Sequence, residues 1–405
     1  MQDLIVVEGG VTAARGYRAA GVSAGIKKAG RLDFAMLVSE RPAVVAGVFT
    51  TNRIQGAPVK LCRERVAGGA GARAVVINSG NANACTGPEG LDNARQTARL
   101  VAGGLGCDEG QVLVCSTGTI GIPLPMDKIA NGVTLVVPAL KPDGGAIAAH
   151  AIMTTDTVDK QFAVEVRIDG RAVRVGGMAK GAGMIEPHMA TMLAFVTTDA
   201  AVGREALQAC LARAVERSFN RITVDGDQSC NDTVLLLANG AAGGATLEAG
   251  HRDWPAFVQA VETVCRELAI RVVKDGEGAT KFVTVEVRGA ASDGDADLAA
   301  RAIARSFLVK TSWFGGDPNW GRVINAVGYS GAAVRGDVVD IAYDGLTAFQ
   351  QGRPVLHARL PELEAVLRKP AFTLAVDLHL GQGAAVMYTC DCSEDYVKIN
   401  SEYMT

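Results

Sequence analysis

The chain has 405 residues, enough for two or three domains and a large core. Hydrophobic residues make up 48% and charged residues 20%, with a net charge of −3 and a pI near 6.0. That balance gives no basic footprint for nucleic acid or an anionic membrane, so neither is an expected partner, and small polar metabolites are. Nine cysteines are scattered without paired CxxC spacing, which argues against both a disulfide framework and a zinc site and leaves the thiols reduced. MQDLIVVEGG at the start lacks a basic segment followed by a long apolar one, and no run reaches 18 apolar residues; the expectation is a cytoplasmic protein.

In chain order, short β-branched runs over 42–49, 74–77 and 112–115 predict strands, with a helix over 91–105 between the last two. This is α/β material. Asn78-Ser79-Gly80-Asn81-Ala82-Asn83 follows a strand directly, either lining a polar loop or forming Asx-turns, and is given no catalytic role. VLVCSTGTIG, over 112–121, carries a strand into a Ser-Thr-Gly turn that can present a hydroxyl beside a backbone N–H. Acyl transfer needs such a pair to hold the oxygen on which a tetrahedral intermediate concentrates its charge, although an ordinary turn fits the same letters. No GKS or GKT follows, which argues against a phosphate loop. Met153-Thr154-Thr155-Asp156-Thr157 reads equally as a ligand loop or as local caps.

The stretch KGAGMIEPHMATMLAFVTTDA, 180–200, sets Thr191 between a glycine-rich loop and an apolar strand over 192–196. Lys180 reads from composition as a surface charge and Thr191 as a satisfied threonine at the start of a strand. A sharper reading makes Thr191 a nucleophile. Its hydroxyl attacks the Ala190 carbonyl and splits the chain, leaving a free α-amine whose reference pKa of about 7.7–8.0 suits a general base. Nucleophile and base are then one residue.

Beyond the junction, 206–219 is an amphipathic helix with Leu207, Cys210, Leu211, Ala214, Val215 and Phe219 on one face. NRITVDGDQSCND, 220–232, is dense in acids, yet Gly226 inside it favours a polar turn supporting the site over a metal site. Helices follow over 255–270, 296–309 and 360–368, and strands over 281–287, 338–343, 372–379 and 384–390. Glu277 sits between Gly276 and Gly278, where a surface acid and a ligand contact are both possible readings. Five dispersed histidines show no metal-ligand spacing. No GxGxxG fingerprint or clean βαβ period is present, so pattern alone gives α/β or α+β with large mixed sheets.

GGVTAARGYRAAG, VVINSGNANACTG, CSTGTIG, MTTDT, GGMAKGAGMIEP, FNRITVDGD, KDGEGATKF, DPNWGR and the terminal SEDYVKIN occur in this order over essentially the whole chain. Together they resemble the ornithine acetyltransferase family of arginine biosynthesis. Gln228, Ser229 and Cys230 depart from the threonines expected there. The resemblance implies an αββα sandwich of the kind found in self-cleaving aminopeptidases such as DmpA, cut between Ala190 and Thr191 into fragments 1–190 and 191–405 that assemble as two α and two β chains. It implies acetyl transfer from N-acetylornithine to glutamate through an acetyl-threonine, with acetyl-CoA as donor left open and no cofactor or metal. Thr191 is then the nucleophile, Thr117 and Gly118 the oxyanion hole, and Thr154, Lys180, Thr191, Glu277, Asn400 and Thr405 the substrate contacts. Two alternatives remain: a self-cleaving amidohydrolase that passes its acyl group to water, and an uncut amino-acid-binding protein.

Overall fold

The computed structural model describes residues 4–28, 30–186, 192–355 and 359–402. Ala190, Thr191 and Thr405 lie outside the described residues. The chain separates into two compact units, Met1–Asn220 with Asp227–Val272, and Arg221–Gly226 with Val273–Met404.

The first unit contains β1 (Ile5–Val6), β2 (Tyr17–Val22), β3 (Phe34–Phe49), β4 (Ala72–Asn81), β5 (Val112–Thr119), β6 (Lys160–Ile168), β7 (Arg171–Lys180), β8 (Leu193–Thr198) and β9 (Thr233–Ala238). They hydrogen-bond in the order β1-β6-β7-β8-β9-β3-β4-β5, with β2 also on β3. β3 turns this ladder into two layers. Its first part pairs with β2 and β4, its register breaks between Val38 and Ala43, and its second part pairs with β9. Pro42, which has no N–H to give a ladder, falls inside the break. Expecting a strand only over 42–49 therefore captures the second half of β3 and misses the first.

Period-two alternation then assigns faces. Val75, Ile77, Leu113 and Cys115 bury one face against Met178, Leu193, Phe195, Leu235 and Leu237 from the other layer. Ala74, Val76, Val112 and Val114 point the opposite way, into a core shared with helices α1 (Ala57–Gly68), α2 (Gly87–Leu105) and α3 (Met126–Val136). The short α4 (Gly145–Ala151) contributes Ala148, Ala149 and Ala151 to the inner core. α5 (Arg204–Glu216) packs on β3 and β9, and α6 (Trp254–Lys274) reaches β7, where a Cβ added to Gly177 would touch Val264 and Leu268. The layers are helix, sheet, sheet, helix, the αββα sandwich that the resemblance implies.

A two-residue turn at Asp169 and Gly170, both at positive φ, joins β6 to β7 with Ile168 opposite Arg171. Asp-Gly between alternating runs is a hairpin signal, and it carries β7 to Lys180. β8 is buried along its whole length and paired on both sides, antiparallel with β7 and parallel with β9. Both sides of the expected cut therefore share one ladder.

The second unit holds β10 (Phe282–Ala290), β11 (Asp340–Tyr343), β12 (Leu346–Gln350), β13 (Arg353–Pro354), β14 (Ala371–Asp377) and β15 (Gly383–Cys390), ordered β13-β12-β11-β14-β10-β15. α7 (Asp293–Arg305), α8 (Phe307–Phe314), α9 (Trp320–Gly328) and α10 (Leu360–Leu367) supply its core, and α11 (Glu394–Glu402) closes the described chain. The single helix expected over 296–309 is two. Ser306, extended at ψ 109, ends α7 and caps α8 by accepting from the Val309 N–H. Among the described residues no helix is long and apolar enough to cross a membrane.

Candidate active site

Parallel pairing of β4 with β5 sets Ser79 opposite Thr117 and Gly80 opposite Gly118. Gly118 has φ +130, and a Cβ there would lie 2.4 Å from the Gly80 carbonyl carbon, so no residue with a side chain fits. The CSTG turn is thus a close backbone approach with the buried Thr117 beside it. The preceding asparagine loop makes the Asx-type contacts: Asn83 N–H donates to Asn81 Oδ1 at 2.8 Å, and Asn78 joins the Ser116 hydroxyl at 2.6 Å.

From Gly80 a series of contacts leads around the ends of the strands. A Cβ on Gly80 would meet Lys27 Cγ at 3.0 Å, and Lys27 Nζ donates to the Leu32 and Met153 carbonyls at 3.0 and 2.5 Å. Burial lowers the Lys27 ammonium pKa to about 8, helped by Arg31 and Lys180 against the pull of Asp33 and Asp156. Next to Met153, the Thr154 hydroxyl accepts from Lys180 Nζ at 2.7 Å. Lys180 is 2% exposed, so it is no surface charge.

Asp156 organises this corner. Its Oδ2 accepts from the Thr154 N–H at 2.9 Å and lies 3.7 Å from Lys180 Nζ, while Oδ1 accepts from Lys160 Nζ at 2.7 Å and the Gly181 N–H at 2.6 Å. Burial pushes the Asp156 carboxyl up, but Lys180, Lys160 and these donors outweigh it and hold the acid well below the usual carboxylate range. Two buried ammonium groups thus share one buried carboxylate, with the backbone donors completing its shell.

Lys180 is the ladder partner of Leu193, one residue beyond Met192. The Met192 N–H donates to Asp232 Oδ1 at 2.8 Å, and the amide of the adjacent Asn231 donates to the Ala82 and Ser116 carbonyls at 2.5 and 2.8 Å. Ser116 precedes Thr117, so the circuit closes. Thr117, Gly118, Thr154 and Lys180 are brought together around the start of β8, which follows Thr191 in sequence. Lys27 and Lys160 are members that sequence reasoning missed; Asn231 and Asp232 entered it only as the end of a polar turn supporting the site, and Asp156 only as part of a polar run. Asp156 and Lys160 meet across the loop that enters β6, where no helical spacing marks a charge pair, and no local pattern marks Lys27.

Glu277 and Asn400 belong to the second unit. Asn400 Nδ2 donates to Glu277 Oε2 at 2.8 Å, so two residues 123 apart in sequence meet. Gly278, φ +67, makes this possible, because a Cβ there would come within 2.5 Å of the Tyr396 nitrogen in α11.

Among the described residues one group has metal-ligand proximity, Asp169, His251 and Asp253. His251 Nδ1 accepts from the Asp253 N–H at 3.1 Å, which leaves the proton on Nε2, 3.0 Å from Asp169. Both ring nitrogens are occupied in a local cap.

A four-layer sandwich, a strand end that admits only glycine at Gly118 and a buried lysine–aspartate cluster are the features with which the chain enters comparison with known acetyltransferases. A family model described as the ArgJ family matches residues 18–405, and the chain belongs to that family. It is 52% identical over 391 residues to the arginine biosynthesis bifunctional protein ArgJ of Geobacter sulfurreducens, covering 96% of this chain and 99% of that protein. The glutamate N-acetyltransferase of Methanocaldococcus jannaschii is 46% identical over 410 residues, covering 99% and 100%. A solved arginine biosynthesis bifunctional protein of Bacillus halodurans matches with TM-score 0.50 and 43% identity over 52% of this chain and 98% of its own.

Proposed function

We propose that the protein is a glutamate N-acetyltransferase of arginine biosynthesis that moves an acetyl group from N-acetylornithine to glutamate after splitting itself between Ala190 and Thr191. The observation that carries the reading is the closed circuit around the start of β8, which gathers Thr117, Gly118, Thr154 and Lys180 from three separate segments. The names of full-length relatives at 46–52% identity support it. The Bacillus chain, aligned over nearly all its length, spans about half of this one, as a fragment cut near the middle would.

In the proposed reaction Thr191 Oγ attacks the acetamide carbonyl while its α-amine takes the hydroxyl proton. The Thr117 hydroxyl and Gly118 N–H hold the resulting oxyanion. The C–N bond breaks, the α-amine passes its proton to departing ornithine, and the acetyl group stays on Thr191 as an ester. Glutamate's amine then attacks that ester and loses a proton to the α-amine, the C–Oγ bond breaks as the α-amine returns that proton to Thr191 Oγ, and N-acetylglutamate leaves. Thr154 and Lys180 contact substrate in this reading, as do Glu277, Asn400 and Thr405, each resting on the family resemblance. It extends to fragments assembled as two α and two β chains in the cytoplasm, where nine free thiols fit a reducing compartment. Relatives named bifunctional make acetyl-CoA the second donor to assay.

Incubation with N-acetylornithine and no acceptor should add one acetyl mass to the fragment beginning at Thr191, and glutamate should remove it. Absence of that species under rapid quench, with intersecting double-reciprocal plots, would replace this mechanism by direct transfer. Acetate released without an acceptor would make the protein an amidohydrolase. Thr117→Ala should lower kcat by about 10²–10³-fold, the usual cost of one oxyanion donor. Gly118 offers no matching variant, since any side chain collides with Gly80. A parental kcat in Thr117→Ala would return that residue to packing.

A further inference from the structure

Asp232 is fully buried at the start of β9, directly after Asn231. Its Oδ1 holds the N–H of the peptide that joins Thr191 to Met192, and among the described residues its Oδ2 has no hydrogen-bond partner. The Asp232 carbonyl accepts from the Thr50 N–H at 3.0 Å, and the Thr50 hydroxyl, which donates to the Ser229 carbonyl at 2.9 Å, pins the adjoining turn. Asn231 meanwhile ties the Ser116 carbonyl, one peptide before Thr117. Two consecutive residues thus grip the peptide after the nucleophile position and the peptide before the oxyanion threonine.

We propose that Asp232 is a positioning residue for acetyl transfer and chain splitting, fixing the Thr191 peptide against the oxyanion strand that Asn231 holds. The inference rests on the acetyltransferase reading above. Burial pushes the Asp232 carboxyl well above the usual carboxylate range, outweighing the Met192 N–H and the Lys180 ammonium. Among the described residues Oδ2 finds no partner, and that unmade hydrogen bond costs free energy, so strand stability alone does not account for a buried acid here. Placement of the adjacent peptide is what the residue supplies, and a misplacement near 1 Å costs about 10²-fold in rate.

The full-length protein is compared with its Asp232→Leu and Asp232→Asn variants by mass spectrometry of splitting over time, by steady-state kinetics and by thermal unfolding. Leucine, with no acceptor for the buried Met192 N–H, should unfold below the parental temperature, the cost of one orphaned donor, yet its folded fraction should split and turn over about 10²-fold more slowly with KM unchanged. Asparagine retains an acceptor oxygen and should recover most of the rate. A leucine variant with parental rates overturns the proposal, as does loss of rate in step with loss of folded protein in both variants. If leucine does not fold, asparagine decides: recovered rate with an unchanged midpoint supports positioning, and a joint fall of midpoint and rate overturns it. A parent that neither splits nor transfers acetyl is a separate result and sinks the acetyltransferase reading instead.

Discussion

A Thr191→Ala protein will run as one uncut chain and make no N-acetylglutamate, while its parent separates on denaturing gels into residues 1–190 and 191–405. Alanine removes the hydroxyl that attacks the Ala190 carbonyl, and without the cut no α-amine is exposed to act as base. Both catalytic groups vanish in one substitution, so the loss should resemble other nucleophile deletions, on the order of 10⁶-fold. Folding should survive, because β8 starts beyond the substituted position and keeps its pairing with β7 and β9. The same ladder would hold a cut protein in one piece: β7 lies before the junction and β8 after it, and Phe195, Leu235 and Leu237 bury their side chains in the shared core. Thr191→Ser, which keeps a hydroxyl, should still split. An uncut alanine variant with parental activity would end the self-processing mechanism.

How much of this was legible in the sequence depended on whether the signal was local. The apolar run after Thr191 marks β8, and Val112 to Cys115 leading into Ser116-Thr117-Gly118 marks the strand end proposed to hold the oxyanion. Both follow from periodicity and glycine. The reach of Phe34–Phe49 was hidden because Pro42 looks like a boundary, whereas it occupies the register break of a strand shared by two layers. A continuous apolar pattern over 296–309 concealed the turn at Ser306, whose capping hydroxyl outweighs the pattern on either side. Lys180 was read from composition as a solvated charge, and only tertiary packing against Thr154 and Asp156 reveals it as buried. Asn231 and Asp232 looked like part of an acidic turn, and their contacts with Ser116 and Met192 span 115 and 40 residues. Nothing local encodes such pairs.

Asp156→Asn should cost about 3–5 kcal/mol of folding stability at neutral pH, the usual result of removing one member of a buried ion pair. Lys160 and Lys180, 0% and 2% exposed, both depend on this carboxylate, and asparagine offers their ammonium groups a dipole where a full charge stood. Because Lys180 also donates to Thr154, loosening it should raise substrate KM even in the fraction that folds. The sign of the pH dependence follows from the depressed carboxyl. Its folded pKa lies below the unfolded value of about 3.9, so its stabilisation is complete above that pH and fades as the pH falls toward the folded value. The gap between parent and variant should therefore be full at pH 7 in urea unfolding and narrow progressively below about pH 4. Protonating Asp156 in the parent does chemically what the asparagine does genetically. A gap that keeps its size down to strongly acidic pH would mean the variant acts through shape, and the charge of Asp156 would not be what holds Lys160 and Lys180 in place.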